Sequence, residues 1–365
     1  MTKELLLGLA FVTAFIFTVL FVPVSRLIAE KIGAIDVPKD DRRMHKSPTP
    51  RLGGLAIFFG FLVSVLSFCG ITREIFGLLL GIVILVTLGI FDDSRGLGAV
   101  FKFCIQIIAA LVVIYVGDTK ILIFTNPNLF SDSSVLVLNQ WISVPITLVW
   151  ILAIINAVNF IDGLDGLAAG VASIAAVSLV FISNIVGQPV IALIAISIAG
   201  ACFGFLPFNL NSKRKMFMGD TGSTFLGFTL AVLSIQGGFK SYAVISFAAP
   251  MLILGLPLFD TIFAILRRVL TGKNPMSADR GHIHHRLVDM GFSQKQTVFI
   301  LYALSGILGI TAVVLAESGA ARALILLVCV LIFIIAGSFF AAKASKQNGQ
   351  GQDAENEKDI DKEIE

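Results

Sequence analysis

The sequence predicts an all-α polytopic membrane protein with about eleven transmembrane helices, its N-terminus outside and its C-terminus cytoplasmic. Three observations carry this. Of the 365 residues 56% are hydrophobic and 14% charged, with a mean hydropathy of +0.93, against roughly 25% charged residues in a soluble domain. Apolar runs long enough to cross roughly 30 Å of hydrocarbon recur along the chain. The basic residues divide unevenly between the loops on the two sides of those runs.

The runs fall at about 5–24, 52–69, 75–91, 101–117, 138–158, 167–185, 189–208, 222–238, 243–266, 297–315 and 321–341. The first is too long for a signal-peptide core and lacks a small-x-small cleavage site, so a retained helix is expected. Alternate loops hold 22 of the 27 Lys and Arg residues, which places 26–51, 92–102, 209–221, 267–296 and the tail in the cytoplasm. On the other side, "KILIF" and "SVLVL" flank a turn-rich centre within 118–140, and this pattern predicts a small hairpin. Residues 1–342 read as a single transmembrane catalytic domain. Residues 343–365, acidic at every odd position from Asp353 to Glu365, read as a disordered tail. Cys69, Cys104, Cys202 and Cys329 lie singly in or beside apolar runs, a pattern of packing residues and not of a disulfide framework or a zinc site.

Five carboxylates terminate or begin these runs: Asp92 and Asp93 in "FDDSRGLGAVFKF", Asp162 and Asp165 in "NFIDGLDGL", and Asp220 in "FMGDTGSTFLGF". A charge at the bilayer centre costs about 2.5 to 3.5 kcal/mol. Placement at cytoplasmic helix ends relieves that cost and lets all five converge on one inward-facing site. Any one of them alone reads as a helix cap or a solvated acid. Glycines flank them at 163, 166, 219 and 222, permitting close approach of backbone to a ligand, although small residues also serve helix packing. On the same side lie His45, Lys46 and Arg51, then Lys102, then "KRK" at 213–215 and "RGHIHHRL" with His282, His284, His285 and Arg286. Hard carboxylate oxygens beside phosphate-seeking cations point to Mg²⁺ holding a diphosphate, with general positive-inside charge as the alternative reading of the cations. Asp260, in "PLFDTIFAILRR", is the one acid deeper within a run; pairing towards Arg267 is its expected role, with a role in the site as the alternative.

Together the motifs resemble those of the polyprenyl-phosphate N-acetylhexosamine-1-phosphate transferases, a membrane family that includes the phospho-MurNAc-pentapeptide transferase. The likeness runs from about Ile32 to Leu287, with "DD", "NFIDGLDGLAAG", "FMGDTGS" and the histidine-rich loop in order. It implies transfer of a sugar 1-phosphate from a UDP-sugar to a polyprenyl phosphate in a bacterial plasma membrane, with UMP released on the cytoplasmic side. By the same resemblance Asp220 is the Mg²⁺ ligand, with Mn²⁺ as a substitute. Asp92 and Asp93 match the pair near lipid phosphate and metal, Asp92 being the preferred catalytic carboxylate. His284 and His285 match catalytic-side histidines. Asn159, Asp162 and Asp165 match the lining of the nucleotide pocket, and Phe217 matches an aromatic that contacts uracil. Asn209 stands one residue further from its MGD motif than in some relatives. Lys46 and Lys102 match phosphate-binding lysines, while His282 and Arg286 fall in the substrate-binding loop.

The form "HIHHRL" departs from the uninterrupted His triplet of the MurNAc-pentapeptide enzymes and is similar to the branch that uses UDP-GlcNAc, the initiators of teichoic acid, O-antigen and related glycans. Expected partners are the UDP-sugar, the lipid phosphate and the bilayer, with no nucleic acid; a homodimer is left open. A secondary transporter would place its acids near the midplane and show two similar halves, which the sequence does not. An intramembrane aspartyl protease requires a glycine where Phe217 stands.

Overall fold

The computed structural model describes residues 2–37, 48–125, 135–210, 214–238, 248–272, 281–318, 322 and 328. Met1–Glu317 form one compact unit, and every contact below lies within it. The helices are α1 (Lys3–Ile32), α2 (Gly53–Phe68), α3 (Arg73–Arg95), α4 (Ala99–Tyr115), α5 (Gln140–Ile161) and α6 (Leu167–Ile185). They continue as α7 (Pro189–Leu210), α8 (Gly219–Gly238), α9 (Ala248–Ile253), α10 (Gly255–Leu270), α11 (Ile283–Asp289) and α12 (Gln294–Ser318). Two antiparallel pairs complete the unit: β1 (Ile35–Asp36) with β2 (Thr49–Pro50), and β3 (Ile123–Thr125) with β4 (Val135–Val137).

The first eight apolar runs each become a helix, because each supplies an uninterrupted stretch of side chains that the backbone can serve only by bonding to itself. Polar residues mark the starts: Thr72 caps α3 by accepting from Ile75 N–H, and Asn139 caps α5 by accepting from Ile142 N–H; such caps satisfy amides that no helical carbonyl reaches. Among the described residues, six helices are long and apolar enough to cross a membrane: α1, α3, α5, α6, α7 and α12. Helices α2 and α4 are apolar but shorter, at 16 and 17 residues, or about 25 Å at 1.5 Å per residue.

Three features differ from the sequence expectation. The ninth run is broken at Leu254 into α9 and α10. The histidine-rich loop contains a short helix, α11. A β1–β2 pair that alternation did not announce closes the first loop. The hairpin expected within 118–140 is present as β3–β4, with Ile123 opposite Val137. Cys69 and Cys202 are buried as packing residues, whereas Cys104 is exposed. The eleventh run, except at 322 and 328, and the acidic tail lie outside the described residues.

Helix α8 is the centre of the bundle. Helices α2, α3, α5 and α6 pack around it, and Phe225, Phe228, Leu226 and Val232 are fully buried together with small polar residues such as Thr221, Ser223 and Thr229, as befits a helix covered on every side. Close packing depends on small residues. A side chain at Gly54 of α2 would run into the backbone of Gly222, and one at Gly227 would meet the backbone of Ile155. This central helix begins at Gly219–Asp220, so the polar motif at its start is delivered to the middle of one end of the bundle.

Candidate active site

The adjacent acids at the end of α3 point to different neighbours, since successive helical residues are turned by about 100°. Asp93 faces α8. Its carboxylate accepts from the backbone N–H of Asp220 (3.0 Å) and of Thr221 (3.0 Å), and from the Thr221 hydroxyl (2.7 Å), while Arg51 Nη2 stands 3.6 Å away. It therefore caps the first turn of α8 from another helix. Gly219 makes the preceding turn at φ 73°, a left-handed conformation that a glycine adopts at little cost.

Asp92 turns towards α4. It accepts from Leu97 N–H (2.7 Å) and from Lys102 Nζ (3.0 Å), and the same ammonium lies 2.8 Å from Asp220 Oδ2. Lys102 thus holds two carboxylates from α3 and α8 about a single point. Asn159, near the end of α5, donates to Ser223 Oγ of α8 at 2.8 Å.

The "NFIDGLDGL" segment is a break between helices. Asp162 is the C-cap of α5, and Gly166, at φ 81°, opens α6. Asn209 braces this break: its Oδ1 accepts from Gly166 N–H (2.5 Å) and its Nδ2 donates to Met216 O (2.9 Å). Asp165 pairs with Lys215 (2.6 Å), whose Nζ stands 5.0 Å from the centroid of the Phe217 ring. Burial pushes the Asp162 carboxyl up to about 7, reinforced by the neighbouring Asp220 and Asp93 charges, because desolvation and like charge both disfavour ionisation.

In the histidine-rich loop, His282 Nδ1 lies 2.8 Å from Asp260 Oδ2, and Ile283 N–H donates to Asp260 Oδ1 at 2.7 Å. This corrects the expectation that Asp260 pairs towards Arg267, which instead donates to Gly281 O. Arg267 lies seven residues on along α10, about two turns, and the carboxylate is taken instead by the chain that returns at His282 and Ile283. His284 is 2% exposed, and neither ring nitrogen has a hydrogen-bond partner among the described residues. Burial, then the neighbouring His285, lowers its pKa to about 4, so the ring is neutral near pH 7.

These elements enclose a cavity of about 370 Å³, within the range of small-molecule sites. Of the residues singled out by motif, Asn159, Asp162, Asp165, Asn209, Phe217, Asp220 and His285 line it. Asp92 and Lys102 meet it through Asp220, and Asp93, His282 and His284 stand behind the lining. Arg286 is exposed on α11, and Lys46 lies outside the described residues. Asp36 and Gln294 also line the cavity although no motif marks them. Asp36 arrives through the β1–β2 pairing and Gln294 as the first residue of α12, placements that need the tertiary structure.

Among the described residues no group of three His, Cys, Asp or Glu side chains forms a ready-made metal cage. The donor set nevertheless suits Mg²⁺. That ion takes one or two carboxylates, keeps several waters and binds substrate phosphates; Asp220 offers the cavity a hard carboxylate, while Lys102 Nζ stands between it and Asp92.

Comparison with known proteins adds an independent line. The signature of glycosyl transferase family 4 matches residues 75–238, the stretch from α3 to α8 that carries Asp92, Lys102, the α5–α6 break and Asp220. The chain is 38% identical over 328 residues to the probable undecaprenyl-phosphate N-acetylglucosaminyl 1-phosphate transferase of Bacillus subtilis (strain 168), covering 89% of each chain. It is 34% identical to the decaprenyl-phosphate N-acetylglucosaminephosphotransferase of Mycobacterium tuberculosis (strain ATCC 25618 / H37Rv), over 84% of this chain and 81% of that one. It is 28% identical to the undecaprenyl-phosphate alpha-N-acetylglucosaminyl 1-phosphate transferase of Escherichia coli (strain K12), over 84% and 83% respectively.

Proposed function

Because the chain belongs to glycosyl transferase family 4, we propose that it transfers N-acetylglucosamine 1-phosphate from UDP-GlcNAc to undecaprenyl or another polyprenyl phosphate. The products are the polyprenyl-diphospho-GlcNAc and UMP, the first membrane step of a cell-envelope glycan. The observation that carries this reading is the Asp92–Lys102–Asp220 cluster, set beside a cavity whose lining combines Asn159, Asp162, Phe217 and His285. It supplies the cation, carboxylate and aromatic groups that a nucleoside diphosphate donor requires.

The protein is a multi-pass membrane protein, with apolar helices and bacterial relatives. Eleven spans with the site facing the cytoplasm is the topology we propose; its support is the segregation of 22 of 27 basic residues to one set of loops, which the positive-inside rule assigns to that side.

In the reaction an oxygen of the lipid phosphate attacks the β-phosphorus of the donor. A new P–O bond forms, and the bond from that phosphorus to the oxygen bridging to the α-phosphate breaks, so that UMP carries away the electron pair. Asp92 takes the proton of the lipid phosphate, with Lys102 neutralising charge beside it. His285 reaches the cavity from α11 and contributes a donor towards the diphosphate. Mg²⁺, or Mn²⁺ in its place, would be held by Asp220, where its charge would offset that of two anions brought together.

The test supplies purified protein with Mg²⁺, undecaprenyl phosphate and either UDP-GlcNAc or UDP-MurNAc-pentapeptide, and follows UMP. Release with UDP-GlcNAc is expected. Release with the pentapeptide donor alone moves the protein to the other branch, and release with no member of a broad set of UDP-sugars overturns the transferase reading.

A further inference from the structure

We propose that Asp260 is a positioning residue that docks the histidine-rich segment against the α5–α6 break and thereby sets where His284 and His285 stand. The proposal rests on the transferase reading for its kinetic consequence, but not for its structural one.

Asp260 lies in α10, is 4% exposed, and uses both carboxylate oxygens on two consecutive residues of the loop. His282 is the N-cap residue of α11, and its own side chain makes no capping bond there. The Ile283 amide at that helix start is taken by Asp260 Oδ1 instead. A carboxylate can only accept, so His282 carries its proton on Nδ1 when it faces Asp260 Oδ2. One acid therefore orients the His282 ring and ties down the first amide of α11.

That anchor is linked to the site by ring contacts. His282 lies 5.7 Å from the Phe160 ring near the end of α5 and 5.8 Å from His284, almost parallel at 12°. His284 in turn stands 4.2 Å from His285, the histidine that lines the cavity. His284 also sits against Gly163, where any side chain would strike its imidazole. With both His284 nitrogens lacking a partner among the described residues, no polar bond described there holds this ring in place. Packing on Gly163 and the docking of α11 by Asp260 do so.

The test compares wild type with Asp260→Ala, the milder Asp260→Asn, His282→Ala, and the double variant Asp260→Asn with His282→Ala. Carbethoxylation by diethyl pyrocarbonate, read at His284 by mass spectrometry, reports docking without reference to activity. Asp260→Ala is expected to raise that rate about tenfold, the effect of removing one buried acceptor of two donors, and Asp260→Asn to raise it less. If both folded variants leave the His284 rate at the wild-type value, the proposal is overturned. In UMP release, Asp260→Asn is expected to lower kcat about tenfold with an unchanged melting midpoint, and the double variant to be no slower than His282→Ala, because the acid acts through that ring. Effects that multiply would overturn the coupling. A wild type that releases no UMP sinks the transferase reading alone, since the labelling result stands independently of it.

Discussion

Asp92 and Asp93 are neighbours in sequence, and replacing each in turn separates chemistry from architecture. Asp93→Ala removes the acceptor of two backbone amides and one hydroxyl at the start of α8. The Thr221 hydroxyl can turn elsewhere, but the amides cannot. Loss of a helix cap costs about 0.5–2 kcal/mol and a buried unmet donor about 1–3 kcal/mol, while release of a buried carboxylate returns part of this, for a net loss of about 3 kcal/mol. At roughly 2–4 °C per kcal/mol, the melting midpoint in detergent should fall by about 6–12 °C. Asp92→Asn is different. The amide oxygen still accepts from Leu97 N–H, and Lys102 keeps Asp220, so the lost ion pair, partly exposed, is worth under about 1 kcal/mol. Turnover should nevertheless fall by about 10²–10⁴-fold, the usual contribution of a general base. Fluorescence-detected size-exclusion chromatography after heating, together with UMP release, reads both quantities. Equal losses of midpoint in the two variants, or an Asp92→Asn enzyme that turns over normally, would refute this division of roles.

Two further perturbations follow from the geometry. A methyl group at Gly54 would fall inside the backbone of Gly222 and Thr221, and neither backbone can rotate away as a side chain can. Gly54→Ala should therefore push α2 from α8 at an overpacking cost of about 1–3 kcal/mol or more, seen as loss of the monodisperse peak on size exclusion; a normal yield would show that the helices are not in that contact. The pH dependence isolates His284, whose folded pKa is lowered to about 4 by burial and by His285. The unfolded chain takes up this proton near pH 6.5 and the folded protein only near 4, so stability falls as pH drops through that window, by about 3 kcal/mol in full. Asp162, with its raised pKa of about 7, acts in the opposite direction over pH 4–7. The comparison is thus wild type against His284→Phe: the variant should lose less midpoint between pH 7 and pH 4.5, and parallel curves would remove His284 as the cause.

Hydropathy and charge are local properties, and what depends on them was legible in the chain. Ten apolar runs coincide with helices or, at Leu254, a broken pair, because a membrane leaves a long apolar segment little choice but to satisfy its backbone internally. The α5–α6 break could be located from its aspartates and glycines, and seven motif residues do line one cavity. Partnership across the bundle was not legible. Which of two adjacent acids meets Lys102 and which caps α8 was decided by α8 lying against one side of α3 and α4 against the other. Lys102 finds Asp220 across 118 residues, and Asn209 became a brace for Gly166 through the way α7 returns to α6. The sequence offers Asp260 a basic residue about two helical turns on, yet it meets a histidine 22 residues on. A carboxylate's type and place in the chain say that burial demands a partner; only the packing of helices against one another determines which partner arrives.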